Sequence, residues 1–250
     1  MRIKVIACEV LFREICDCAA RARSIIDLVF VRRGLHDNPD VLRATLQKMI
    51  AETDEAQDEA IVFGYGLCSN GLAGLRAEGI PLVIPRAHDC ITLLLGSREA
   101  YDRIFSARPG TFYYSGGWIE RGDDRVPRRP EDGAGLDASF EELVAKYGQD
   151  NAEYLWQFQS NWIEHYTHAT HIDTALGNLE AYRAHTRETA AARGWEADEI
   201  PGSLGLIQAM LDGEWDSEQF LVVPPRHEVI QSVGPEVIAA RPVLECQSKH

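Results

Sequence analysis

This chain of 250 residues lacks any apolar run approaching the roughly 18 residues that a membrane-crossing helix needs. A bilayer-spanning protein is therefore not expected. It is also short of positive charge. Lys and Arg number 25 against 39 Asp and Glu, a formal charge of −14 that opposes broad contact with phosphate backbones or anionic lipid. Nucleic acid and membrane surfaces are excluded as expected partners. The amino terminus enters a strand-like run at once, without the apolar stretch and small-residue cleavage site of a secretory leader, so a cytoplasmic location is expected. The sequence contains no Cys-x-x-Cys pair, no Walker loop and no complete GxGxxG fingerprint.

Apolar residues make up 45% and charged residues 26%, an ordinary globular balance that lacks the signature of disorder. The length allows one large domain or two small ones. Apolar and β-branched runs alternate with helical patterns: strands at 3–7, 27–32, 60–64, 81–84 and 111–114, and helices at about 10–23, 39–51, 70–77 and 90–106. Such alternation predicts an α/β, Rossmann-like, mostly parallel sheet with helices on both faces. Asn38 as cap and Pro39 at the first helical position mark the second helix. Residues 121–138, charged and rich in Pro and Gly, read as a loop. Helices at about 139–147, 150–166, 178–192 and 203–212 follow, with strands near 169–172 and 219–223. Leu82-Val-Ile-Pro-Arg-Ala-His88-Asp89 echoes Leu221-Val-Val-Pro-Pro-Arg-His227-Glu228. The echo raises a duplication into two pseudo-symmetric halves, 1–118 and 139–235, against the simpler reading of two buried strands leaving through Pro turns.

Six cysteines in a reducing compartment point to metal ligands, reactive thiols or small buried residues rather than to a disulfide frame. Cys8, Cys68, and His88 with Cys90 each follow a predicted strand. Parallel strands put their carboxyl ends on one edge, where open α/β sheets bind ligands. Three thiolates and an imidazole suit zinc, or an iron-sulfur cluster with one unusual position. The bland alternative is that Cys8 and Cys90 merely pack strand ends. A His-x-Cys pair with a remote cysteine also suits a metal that binds and activates a substrate thiol. Asp89 reads either as a partner of an outer ligand or as a helix cap.

Gly64, Gly66, Ser69 and Asn70 form a loop able to turn backbone N–H groups toward an anion, with Arg86 as countercharge, or simply a tight glycine turn. Cys16 and Cys18, two apart on a helix, point to different sides. Glu120, after Tyr113-Tyr-Ser-Gly-Gly-Trp118-Ile119, is an acid-base candidate. His165, His168 and His171 recur every third residue, but Tyr154, Phe158, Trp162 and Tyr166 form an i, i+4 stripe that reads as core. Cys246 reads as a free thiol.

In Ile6-Ala-Cys-Glu9, Gly34-Leu-His36, Tyr65-Gly-Leu-Cys-Ser-Asn-Gly71, Pro85-Arg-Ala-His-Asp-Cys90, Leu95-Gly-Ser-Arg98, Pro109-Gly-Thr-Phe-Tyr-Tyr-Ser-Gly-Gly-Trp118 and Leu211-Asp-Gly-Glu-Trp215 to Pro225, the chain resembles the domain-of-unknown-function family 1638. The resemblance implies a bacterial or archaeal cytoplasmic protein from organisms with corrinoid-dependent one-carbon metabolism. It carries over no catalytic residues. The expected function is metal-dependent transfer of a methyl or other one-carbon group to or from a thiol or a corrinoid protein, with Cys8, Cys68, His88 and Cys90 as ligands. Two rivals stand beside it. One is a non-catalytic metal or cofactor carrier for a methyltransferase system. The other is a cysteine-nucleophile enzyme with Cys68 at a helix N-terminus and His88 as base.

Overall fold

Arg2–Cys8 forms β1, whose Ile3, Val5, Ile6 and Ala7 are completely buried, as a strand covered on both faces requires. A computed structural model describes residues 1–35, 38–68, 70–122, 144, 149, 165–232 and 236–243. The expected loop beyond 122, the helices at 139–147 and 150–166 with most of the aromatic stripe, Ser69 and Cys246 fall outside these residues. Among the described elements, β1 pairs in parallel with β2 (Ile25–Val31) on one side and with β3 (Ala60–Gly64) on the other. β4 (Leu82–Pro85) runs parallel to β3, and β8 (Phe220–Val223) closes that side antiparallel. The order β2-β1-β3-β4-β8 makes a mostly parallel five-stranded sheet flanked by helices in an α/β fold.

A short 3-10 turn, Glu9–Leu11, leads into α1 (Phe12–Ala19). α2 (Pro39–Ala51) starts where the sequence predicts: the Asn38 side chain accepts from the Val41 N–H at 3.3 Å, and Pro39 occupies a position that needs no donor. The expected helix at 90–106 is two helices, α3 (Cys90–Leu95) and α4 (Arg98–Ala107), because Gly96 between them takes φ +86° and ends α3. The expected helix at 70–77 does not form. Asn70 and Gly74 have φ of 68° and 92°, and left-handed residues interrupt any right-handed turn.

The chain divides into two compact units interleaved in sequence. The first comprises Met1–Arg103, Thr174–Gly177 and Pro201–His250. It holds the five-stranded sheet, the helix Gly205–Asp212 and a hairpin of His227–Gln231 with Ile238–Pro242. The echoing segments around Leu82 and Leu221 are not equivalent strands of two lobes. They are neighbours in this one sheet, antiparallel, with Leu82 opposite Val223 and Pro85 opposite Phe220, so their chains leave by opposite edges.

The second unit comprises Ile104–Asp173 and Asn178–Ile200. Its described part is a three-stranded sheet, β5 (Thr111–Tyr114), β6 (His168–Asp173) and β7 (Glu196–Pro201), with α5 (Gly116–Glu120) and α6 (Leu179–Arg193). β5 therefore belongs to a separate sheet rather than continuing the first one.

Candidate functional site

The chain passes from β1 to β2 on one side and then crosses back to place β3 on the other side of β1. This reversal between β1 and β3 is a topological switch point, where adjacent connections diverge and leave a crevice beyond the carboxyl ends. Cys8 is the last residue of β1 and is 7% exposed. Gly64 ends β3 and the chain continues through Tyr65, Gly66 and Leu67 to Cys68. Both cysteines therefore stand at the switch point.

Close backbone packing holds these segments together. A Cβ on Gly64 would lie 2.6 Å from the Ala7 side chain, and one on Gly66 would lie 2.6 Å from the Asp89 backbone, so both positions need glycine. The loops after β3 and β4 are joined by two hydrogen bonds, Leu67 N–H to Ala87 C=O at 2.8 Å and Cys68 N–H to His88 C=O at 3.0 Å. The Cys68 carbonyl in turn accepts from Gly71 at 3.0 Å. Cys68 itself adopts φ 44°, a left-handed conformation costly for a side-chain-bearing residue.

Burial dominates the electrostatics. It pushes the Cys68 thiol up to about 12, helped by the neighbouring Cys8 and Asp89 and opposed by the Gly66 N–H. Cys8 is pushed up to about 11, again chiefly by burial, with Arg33 pulling the other way. Tyr65 is 2% exposed. Its hydroxyl is buried without a hydrogen-bond partner, and burial followed by the proximity of Cys8 and Cys68 raises its pKa further. An isolated buried hydroxyl costs free energy and calls for a partner that binds there.

The structure does not bring the four expected ligands together as a ready coordination shell. Among the described residues, no group of three or more His, Cys, Asp or Glu side chains is arranged to hold a metal ion. Cys8 and Cys68 lie within electrostatic reach of one another, but the segment bearing His88 and Cys90 is oriented by a different demand. Asp89 caps α3, accepting from Ile91 N–H at 3.0 Å and Thr92 N–H at 3.4 Å. This sets Cys90 in the first turn of that helix and leaves His88 exposed. Burial raises the Asp89 pKa, opposed by those two N–H groups.

Of the loop expected to cradle an anion, Ser69 lies outside the described residues and several of the other donors are committed. The N–H groups of Gly66, Leu67, Cys68 and Gly71 are already spent on the Cys68 sulfur and on three backbone carbonyls. Gly64 and Gly66 are there for close packing, and Asn70 serves the chain turn with its φ of 68°. Arg86 acts as a clamp instead of a countercharge: its guanidinium donates to the carbonyls of Ser217 at 2.9 Å, Glu236 at 3.0 Å and Ile238 at 2.6 Å. The nucleophile reading loses its helix dipole, since the described residues 70–77 after Cys68 form turns and no helix.

Glu120 lies in the second unit, where its carboxylate accepts from the Tyr182 hydroxyl. The three histidines do not converge on a metal: His168 pairs with Thr167 at 2.8 Å, while His171 is buried 3.6 Å from Glu199. Cys18 is fully buried on α1, and burial pushes its thiol up to about 11. Sequence reasoning overlooked Tyr65. The signal was an aromatic residue between two glycines at a strand end, where close packing forces its ring inward.

A family model described as "Protein of unknown function (DUF1638)" matches residues 30–211. No curated protein and no solved structure matches the chain.

Proposed function

Taking as premise that the chain belongs to the domain-of-unknown-function family 1638, we propose that it is a thiol-dependent group-transfer protein centred on Cys8 and Cys68. The group transferred is a methyl or other one-carbon unit, and the partner is a small thiol or a corrinoid protein. The observation that carries the reading is the Tyr65 hydroxyl, buried without a partner beside the buried Cys8 thiol and the half-buried Cys68 at the switch point. Two neighbouring sulfurs with one unspent hydroxyl beside them suit a thiophilic ligand that also offers a hydrogen-bond acceptor.

A bare thiolate is a poor agent here, because thiols pushed up to about 11 and about 12 stay protonated at neutral pH. Cys8 and Cys68 would hold zinc or an iron-sulfur centre, and His88 and Cys90 on the adjoining loop, which stand in no ready shell with them, would supply the further donors on binding. Such a metal, when bound, supplies thiol ionisation at neutral pH. The chain's own part is to exclude water around the sulfurs, to fix Cys68 through its bonds to His88 and Gly71, and to present the Tyr65 hydroxyl.

The test is elemental analysis with absorption spectra on anaerobically purified wild type and the Cys8→Ala, Cys68→Ala, Cys90→Ala and Cys16→Ala variants. Stoichiometric zinc or iron is expected in wild type and Cys16→Ala and absent from the other three. Equal retention in all five proteins would sink the site. A metal that no added thiol perturbs spectroscopically would identify a carrier in place of a transferase.

A further inference from the structure

Apart from the thiol site, the first unit contains an open groove of about 820 Å³ lined by none of its residues. Three guanidiniums, Arg43, Arg76 and Arg226, face two carboxylates, Asp40 and Glu78, so cations outnumber anions there. That is the reverse of the whole chain, whose formal charge is −14. A groove with an excess of cations on an acidic protein favours anionic ligands.

The three arginines are not equally committed. Arg43 donates to Asp40 at 2.8 Å, to the Asn70 carbonyl at 3.2 Å and to the Ala73 carbonyl. Arg76 reaches Glu228 at 3.4 Å, a carboxylate already held by Arg241 at 2.7 Å. Arg226 is exposed, and among the described residues its guanidinium has no hydrogen-bond or ion-pair partner. Its backbone is fixed on both sides, with the N–H on Ala77 C=O and the C=O accepting from Val243, each at 2.9 Å. At φ 64° the position favours glycine, yet it carries the longest cationic side chain available. The backbone geometry therefore does not account for the arginine, whereas a ligand in the groove does.

We propose that this groove binds a small phosphate ester. A guanidinium fork matches phosphate oxygens in a bidentate manner, which assigns the phosphate to Arg226 with Arg76 beside it. Asp40 and Glu78 accept from hydroxyl groups of the ester's organic part. Among the described residues no aromatic side chain lines the groove, so a polyhydroxylated ester fits it better than a stacked base.

The test is calorimetric titration of the full chain at constant ionic strength with sn-glycerol 3-phosphate, inorganic phosphate, sulfate and glycerol. The protein set is wild type, Arg226→Gln, Arg226→Gly and, as a control that does not line the groove, Arg193→Gln. Saturable binding of the ester is expected, weakened roughly tenfold to a hundredfold by either Arg226 change and unaffected by Arg193→Gln. Arg226→Gly relieves the left-handed backbone and should raise the melting temperature while losing the ligand, which separates lost binding from lost folding. Three outcomes overturn the proposal: no saturation at millimolar ester, equal affinity in wild type and Arg226→Gln, or sulfate binding as tightly as the ester.

Discussion

Tyr65 has the most buried stake in the proposed site, because its hydroxyl is enclosed with no partner at 2% residue exposure. Leaving a buried hydroxyl unpaired costs about 1–3 kcal/mol, a cost that deletion of the oxygen removes. Tyr65→Phe should therefore be as stable as wild type or more stable by about 1 kcal/mol in chelator-treated, ligand-free protein. The same change should weaken retention of whatever Cys8 and Cys68 hold, since the donor to it is gone. Urea denaturation, with and without the metal found in the anaerobic preparation, reads both effects. A loss of about 1 kcal/mol in the ligand-free state would show a merely structural hydroxyl with a partner of its own. The site's cysteines were legible because Cys8 ends β1 and Cys68 follows closely after β3, and parallel strands share an edge. Tyr65 was not, because a buried hydroxyl without a partner is a property of packing and leaves no periodic trace. The placement of His88 and Cys90 was less legible for a related reason: the cap made by Asp89, rather than the strand end, sets that turn.

At the scale of elements, caps and glycine breaks explain both the successes and the failures of sequence reading. Asn38-Pro39 declares a helix start through chemistry local to four residues, and α2 begins there. The absent helix at 70–77 and the split at Gly96 depend on positive φ angles that close packing imposes from outside the segment. β7, Glu196-Ala-Asp-Glu-Ile-Pro201, hides behind acidic residues that suit an exposed sheet edge, with four of its six residues exposed. Asp89 offers a test at this scale, because it both caps α3 and helps to raise the Cys68 thiol. Asp89→Ala should cost about 1 kcal/mol through the lost cap. Asp89→Asn keeps an acceptor for Ile91 and Thr92 but removes the charge, so it should preserve stability while lowering the Cys68 pKa. Thermal melts and the pH dependence of Cys68 alkylation distinguish the two. Equal alkylation profiles in wild type and Asp89→Asn would show that the carboxylate does not reach the thiol electrostatically.

For the whole molecule, the two units respond to pH from opposite ends. In the first, burial raises the thiols of Cys8, Cys18 and Cys68 from 9.0 to about 11, about 11 and about 12. Above pH 9 the unfolded chain releases these protons and the folded chain keeps them, so the folded state binds more protons and stability falls as pH rises. The limit is about 1.4 kcal/mol per pH unit for each such thiol. In the second unit, burial lowers the pKa of His171 from 6.5, with Glu199 opposing. As pH falls below 6.5 the unfolded chain takes up a proton that the buried imidazole refuses, so stability falls toward acid and is complete only above that value. Asp58 and Asp89, raised by burial, act in the opposite sense above the ordinary carboxylate value, and His171→Gln isolates the histidine's share. Denaturant midpoints measured from pH 5 to 10.5 should therefore fall at both ends. Cys8→Ala with Cys68→Ala should flatten only the alkaline limb, and His171→Gln only the acid one. If the alkaline limb survives both cysteine changes undiminished, the sulfurs at the switch point are already ionised in the folded protein. A metal-bound thiolate pair would produce that result, and removing the metal with chelator should then restore the fall.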